Sequence, residues 1–185
     1  GKRKLIFEVR GLPTPDYKGA NVGIIVEGTK GYLVMTSYAS GTAFDLDGKP
    51  IKQFNGGGDD RHYKNFTDAM RNRDYKTLNA DIEQGHLSSA LCHLGNISLR
   101  LGKQIPSAEV VGSLQSQGGD GSVVDTWKRT AEHLQANEVK DYSIWMGKPL
   151  SIDPIGEVFT GSDAPNEWLT REYRAPYSLP SEQAV

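Results

Sequence analysis

The sequence predicts an α+β fold: an open, mostly antiparallel β-sheet in the first third of the chain, with helices packed on one face of it. Three observations carry this. Short β-rich runs between residues 4 and 54 are separated by turn residues. The pair Asp47-Gly48 marks a tight hairpin turn among them. After the triple glycine at 56 to 58 the apolar period changes from two to the helical value.

The elements follow in order. Leu5, Phe7 and Val9 alternate with Ile6, Glu8 and Arg10, so "KLIFEVR" reads as a half-buried strand that starts the sheet at Lys4. The prolines and glycines of "GLPTPDYKG" break it into a loop. "NVGIIVEG" and "GYLVMTSY" read as two strands joined at "EGTKG", and "GTAFDLDGKPIKQF" as a second hairpin. The sheet is expected to run to Phe54.

A helix near 60–72 follows the glycine joint. Asp59 or Asp60 suits its cap, Phe66, Ala69 and Met70 share one side, and Arg71 and Arg73 suit the negative end of its dipole. The strongest helical pattern covers 80–102, with Asn79 as cap, Asp81 and Glu83 at its start, and Gly102 and Pro106 to stop it. Three stripes run along it. Leu87, Ala90, Leu91, Leu94, Ile97 and Leu101 are apolar. Ser88, Cys92, Gly95 and Leu99 form a mostly small stripe suited to close packing. His86, Ser89, His93, Asn96 and Arg100 form a polar one. "SLQSQGGDGS" reads as a turn-rich loop. A helix near 123–136 is expected next, then an extended tail from about 141 to 185. The whole of 1–185 reads as one domain.

Composition excludes several classes. A net charge of −2 leaves no electrostatic footprint for nucleic acid. No run of about 18 apolar residues offers a membrane span. The single cysteine, Cys92, forms no intrachain disulfide and no cysteine-based zinc site; it reads as a small buried residue and agrees with a reducing, cytoplasmic setting. The chain opens on Gly without Met and enters a strand pattern at once. That suggests a domain cut from a longer protein, any export signal of which would precede Gly1; a processed mature chain is the alternative.

Few residues offer chemistry. His86 and His93 stand two helical turns apart, about 10 Å, too far to share a metal ion. Each reads either as a hydrogen-bonded structural residue or as part of a cleft wall. The triple glycine lacks the βαβ setting of a dinucleotide loop, so the chain is expected to bind neither NAD nor NADP, and no metal. No Gly-x-Ser-x-Gly elbow or His-Glu-x-x-His motif occurs. The best polar candidates for a substrate wall are Arg10 at a strand end, His62 beside the glycine joint, and His86 and His93.

Four stretches, "LIFEVRGLPTPDYKG", "HYKNFTDAMRNR", "LNADIEQGHLSSALCHLGNISLRLG" and "LTREYRAPYSLP", together resemble the C-terminal half of bacterial oxidoreductases of the glucose–fructose oxidoreductase/inositol dehydrogenase (Gfo/Idh/MocA) family, closest to its planctomycete-type branch. The resemblance covers nearly the whole chain and is weakest between about Ser107 and Lys140. It implies a dihydrodipicolinate-reductase-like C-terminal domain that supplies a substrate wall and an oligomer interface. A Rossmann domain holding NAD or NADP would precede it in the full-length parent, whose substrate would be a sugar or polyol. The family's nucleotide loop, its Glu-Lys-Pro lysine and its Asp/His pair have no counterpart here, so no catalytic residue carries over.

Assembly is expected too. Ile24 and Val26 face one side of their strand, and Gly23, Ile25 and Glu27 the other, so both sides of the sheet hold apolar residues. This predicts a homo-oligomer through the sheet face. A stand-alone binding or assembly module using that face is the alternative function. Cover of the face by a further domain or by loop 107–122 is the alternative structure.

Overall fold

The computed structural model describes residues 3–57 and 59–180, without the side chain of Asp59. The class is α+β, as the sequence predicts, with a mostly antiparallel sheet and, among the described residues, four α-helices. The chain forms two compact units, Gly1–Gly85 and His86–Val185.

The first unit is built on a four-stranded antiparallel sheet, β1 (Ile24–Gly28), β2 (Gly31–Met35), β3 (Ser40–Phe44) and β4 (Pro50–Asn55), in sequence order. The register aligns Ile25, Val34, Thr42 and Gln53 across all four strands, and Glu27, Tyr32 and Phe44 across the first three. Residues directly opposite share a face, so these seven lie on one side. Ile24, Met35, Gly41 and Phe54, and Val26, Leu33, Ala43 and Lys52, lie on the other. The Asp45–Lys49 loop joins β3 to β4, with Asp45 Oδ1 accepting from the Asp47 and Lys49 amides at 3.0 and 2.8 Å. Gly31 makes the β1–β2 turn possible: its φ is +149°, and a Cβ there would lie 2.1 Å from the Phe44 carbonyl oxygen.

The expected first strand is a correction. Residues 3–10 have no regular structure, and Leu5, Phe7 and Val9 are all exposed. Alternation shows which side chains would share a face, but a strand also needs a neighbour's N–H and C=O groups. The segment pairs with no strand among the described residues.

Helix α1 (Asp59–Asn72) starts where the glycine joint ends. Of its expected apolar side only Ala69 is buried; Phe66 and Met70 are exposed. After it, Asn65 donates to the Thr77 carbonyl at 2.8 Å and accepts from the Asn79 amide at 2.9 Å, tying down the connection. Asp81, rather than the expected Asn79, caps the next helix, accepting from the Gln84 amide at 3.1 Å. Helix α2 (Ile82–Arg100) follows, and the boundary between the two units falls within it.

In the second unit, β5 (Lys103–Pro106) pairs antiparallel with β6 (Ser143–Met146). The α2–β5 turn is tight: a Cβ on Gly102 would lie 2.2 Å from the Met146 carbonyl oxygen. The expected 113–122 loop is partly helical. Helix α3 (Val110–Ser116) occupies its first half, and α4 (Gly121–Ala136) begins at its end. Asp120 caps α4, accepting from the Ser122 and Val123 amides. Beyond 141 the chain is more than an extended tail: β7 (Ser151–Asp153) and β8 (Val158–Thr160) form a hairpin. Asn166 clamps this hairpin, accepting from the Phe159 amide at 2.7 Å and donating to its carbonyl at 3.0 Å. The core of this unit is small: Ile97, Ile105, Val110, Val124, Phe159 and Pro165, with His133 also buried.

Helix α2 departs from its expected packing. Only Ile97 is buried, while Leu87, Leu91 and Leu99 are exposed. Cys92 is exposed rather than buried. A Cβ on Gly95 would meet nothing within 4 Å, so the small stripe is not closely packed there. Among the described residues no helix is long and apolar enough to cross a membrane.

Candidate functional site

The two faces of the β1–β4 sheet differ in chemistry. On the first, a tight turn folds over the strands. Tyr17 and Ala20 exchange both backbone hydrogen bonds at 3.0 Å, which leaves Lys18 and Gly19 as the two central residues. Both have positive φ, +50° and +79°. That is the pattern of a type I′ turn, whose central positions favour Asn, Asp and Gly. A lysine at the first of them holds a conformation that costs it on the order of 1 kcal/mol.

The strained lysine is held from two sides. Its Nζ donates to Glu27 Oε1 at 2.6 Å and stands 4.3 Å from the centre of the Tyr32 ring. Tyr32 stacks on Phe44 at 5.1 Å. The hydrogen bond to Glu27 raises the Lys18 ammonium above the ordinary lysine value of 10.5, against the opposing effect of partial burial. The pair is a 9-residue tie between the turn and β1.

Next to this lysine lies a cleft of about 240 Å³. Val34 and Phe44 supply apolar wall; Thr36, Ser40 and Thr42 supply hydroxyls, and Gln53 an amide. Val34 is only 3% exposed and forms the floor. Ser40 Oγ shares a 2.7 Å hydrogen bond with Ser37. Every residue here comes from the turn or from β2, β3, β4 and their ends, so the sheet register sets the spacing of the polar groups.

The residues expected to form a substrate wall lie elsewhere. Arg10 donates to Glu8 at 3.0 Å and to Thr14 at 3.3 Å, which fixes the local course of the N-terminal segment. His62 is exposed on α1, its ring edge-on to Tyr63 at 5.7 Å. Neither lines the cleft. His86 and His93 fall in the second unit, both exposed. His86 Nε2 is 2.7 Å from Glu157 Oε2 on the β7–β8 turn, a partner 71 residues away that no local pattern points to. Glu157 itself has φ +50°. Among the described residues no group of three or more His, Cys, Asp or Glu side chains could hold a metal ion.

A second cavity, about 370 Å³, lies in the C-terminal stretch. Arg171 sits over Tyr173 at 5.1 Å and Arg174 over Tyr177 at 5.6 Å. All its walls come from residues 171–177, so no second element fixes its shape. The sheet cleft is the better built of the two.

Comparison with known protein families, with curated proteins and with solved structures gives no match to the chain. The functional reading therefore stands on the sheet, its cleft and the sequence stretches themselves.

Proposed function

We propose that this chain is the substrate-binding and assembly half of an NAD(P)-dependent sugar or polyol oxidoreductase, without hydride-transfer activity of its own. The observation that carries the reading is the division of the sheet. One face bears a small open cleft of mixed polar and apolar lining beside the Lys18 turn. The other bears Ile24, Val26 and Phe54, exposed at 61%, 54% and 45%, with Leu33 and Met35 half-buried among them. A substrate wall needs the first kind of surface and an oligomer interface the second. The four stretches resembling Gfo/Idh/MocA oxidoreductases support the same division of labour. In this reading NAD or NADP sits on a nucleotide-binding domain of the parent protein, and a second copy of the chain covers the apolar face.

The test is the protein encoded by the whole parent gene, purified and offered sugars and polyols with NAD or NADP. Reduction of the cofactor that depends on the sugar or polyol is expected. A parent gene without a nucleotide-binding domain would overturn the oxidoreductase reading.

The exposed apolar face also favours a second reading, a binding or assembly module with no enzymatic parent. That reading shares the sheet interface and differs in predicting no turnover with either cofactor.

A further inference from the structure

We propose that residues Lys4 to Phe7 of one copy of the chain add as a strand to the outer edge of β1 in a second copy, so that two copies exchange these segments. The inference concerns the edge of the sheet, where the assembly reading above concerns its open face. It does not depend on the oxidoreductase reading.

The donor is a strand pattern without a partner. Leu5 and Phe7 alternate with Lys4 and Ile6. Residues 3–10 nevertheless have no regular structure, and Leu5 and Phe7 are 68% and 79% exposed. Large apolar side chains left in water gain from burial, and this backbone gains from a ladder.

The acceptor is β1. It is an edge strand: β2 takes one side and, among the described residues, no strand takes the other. In an antiparallel pair alternate residues bond to the same neighbour, so the remaining N–H and C=O groups of β1 point outward as a template for a further strand. The opposite edge, β4, is a poorer template. It begins at Pro50, which has no N–H, and carries Lys52 near its centre. Proline and lysine on an edge guard against pairing. β1 carries neither, and its Ile24 and Val26 are exposed.

The sequences match in one register. Set antiparallel, Phe7 stands opposite Ile24, Ile6 opposite Ile25, Leu5 opposite Val26 and Lys4 opposite Glu27. Leu5 and Phe7 then widen the open face beside Val26 and Ile24. Lys4 meets a carboxylate on the other face. Glu27 gives its Oε1 to Lys18, and a carboxylate accepts from more than one donor. Apolar and opposite-charge pairs across a ladder are both favourable. A shift by two residues sets Ile6 opposite Glu27 or Gly23 and loses the charge pair. A shift by one turns Leu5 and Phe7 to the wrong face. The bend at Asn21 and Val22 ends the ladder beyond Phe7.

The occupant is a second copy because one chain leaves donor and acceptor unpaired, with Arg10 bonded to Glu8 and Thr14 between them. Residues 8 to 16 separate the donor from the Tyr17–Ala20 turn. Extended, they span at most about 30 Å. That reaches a neighbour whose sheet packs about 10 Å away, so the exchange fits within the same two-fold pair.

The test is a cysteine cross-link in the full chain. Residues directly opposite stand about 4.5 to 5.5 Å apart by Cα, within reach of a disulfide. Leu5→Cys and Val26→Cys are made in separate chains, each with Cys92→Ser, then mixed and oxidised. A covalent pair of chains is expected from the mixture and from neither chain alone. Leu5→Cys mixed with Ile25→Cys should give at least tenfold less. Ile6→Pro removes a ladder N–H from an exposed, irregular segment, so the chain stays folded. Its dimer, followed by light scattering on dilution, should dissociate at a concentration at least tenfold higher than that of Ile6→Val. No covalent pair from the first mixture overturns the exchange. A disulfide closed within single chains that carry both Leu5→Cys and Val26→Cys, in place of a link between chains, overturns the second copy as occupant. Equal linking to Ile25→Cys overturns the register. Equal dissociation of Ile6→Pro and Ile6→Val overturns the added strand and leaves the sheet-face interface standing.

Discussion

The two faces of one sheet teach different lessons about what a β-strand pattern means. Both faces hold apolar residues. On one, Val34 is buried beside the Lys18 turn and its neighbours are Thr42, Gln53 and the Tyr32–Phe44 stack. On the other, Ile24 and Val26 stand more than half exposed. The strands are the same, and so is the backbone ladder. What differs is a turn of four residues, Tyr17 to Ala20, which ties to one face through Lys18, Glu27 and Tyr32 and, among the described residues, has no such tie to the other.

The comparison collapses if the hairpin that joins β1 to β2 is broken. Gly31→Val would put a Cβ 2.1 Å from the Phe44 carbonyl oxygen at a φ of +149°. Both faces should lose their structure together, with a stability loss of about 3 kcal/mol or more in urea denaturation. A loss within about 0.5 kcal/mol would show that the turn adapts.

Single truncations sharpen the contrast. Val34→Ala removes buried atoms and should cost about 2 kcal/mol. Val26→Ala, on the open face, should stay within about 0.5 kcal/mol in dilute solution. Equal effects by chemical denaturation would mean that the two faces are equally buried in solution.

The smallest effect tests that turn itself. Lys18 has a folded-state pKa above the ordinary 10.5, because it donates to Glu27. A raised lysine stabilises the folded state fully below the unfolded value, and that contribution fades as pH climbs through the folded value. The ion pair is partly exposed and contributes up to about 1 kcal/mol. Wild type and Lys18→Asn should therefore differ by a constant amount from neutral pH to about 10, by thermal melting. Above that the wild type should lose its pair contribution. A difference that grows with rising pH would contradict the pairing.

Much of this architecture was legible in the sequence. The change of period after Gly56 located α1, and Asp47-Gly48 located the β3–β4 turn, because both signals are local. The misses share one cause. Leu5, Phe7 and Val9 alternate like a strand, but pairing depends on a partner edge that alternation does not specify. The small stripe of α2 reads as close packing, yet Cys92 is exposed and Gly95 has open space around it. The cleft was hidden for a different reason. Lys18-Gly19 lacks the Asn-Gly or Asp-Gly signature of its turn type, so "PDYKG" reads as plain loop. Thr42 and Gln53 lie eleven residues apart and meet only through register. The one available signal was a glycine preceded by a lysine shortly before a β-rich run, which is weak. His86 was visible as a polar candidate, whereas its partner Glu157 was not.

The proposal that the open face is an assembly surface is tested most directly by the mass of the chain in solution. Light scattering at micromolar concentration should give twice the chain mass of 20.3 kDa, since a two-fold pair is the commonest closed arrangement. Val26→Asp should return it to a single chain without unfolding it. A wild-type mass of 20.3 kDa would contradict the account, because Ile24, Val26 and Phe54 would then face water on a surface with no second copy to cover it.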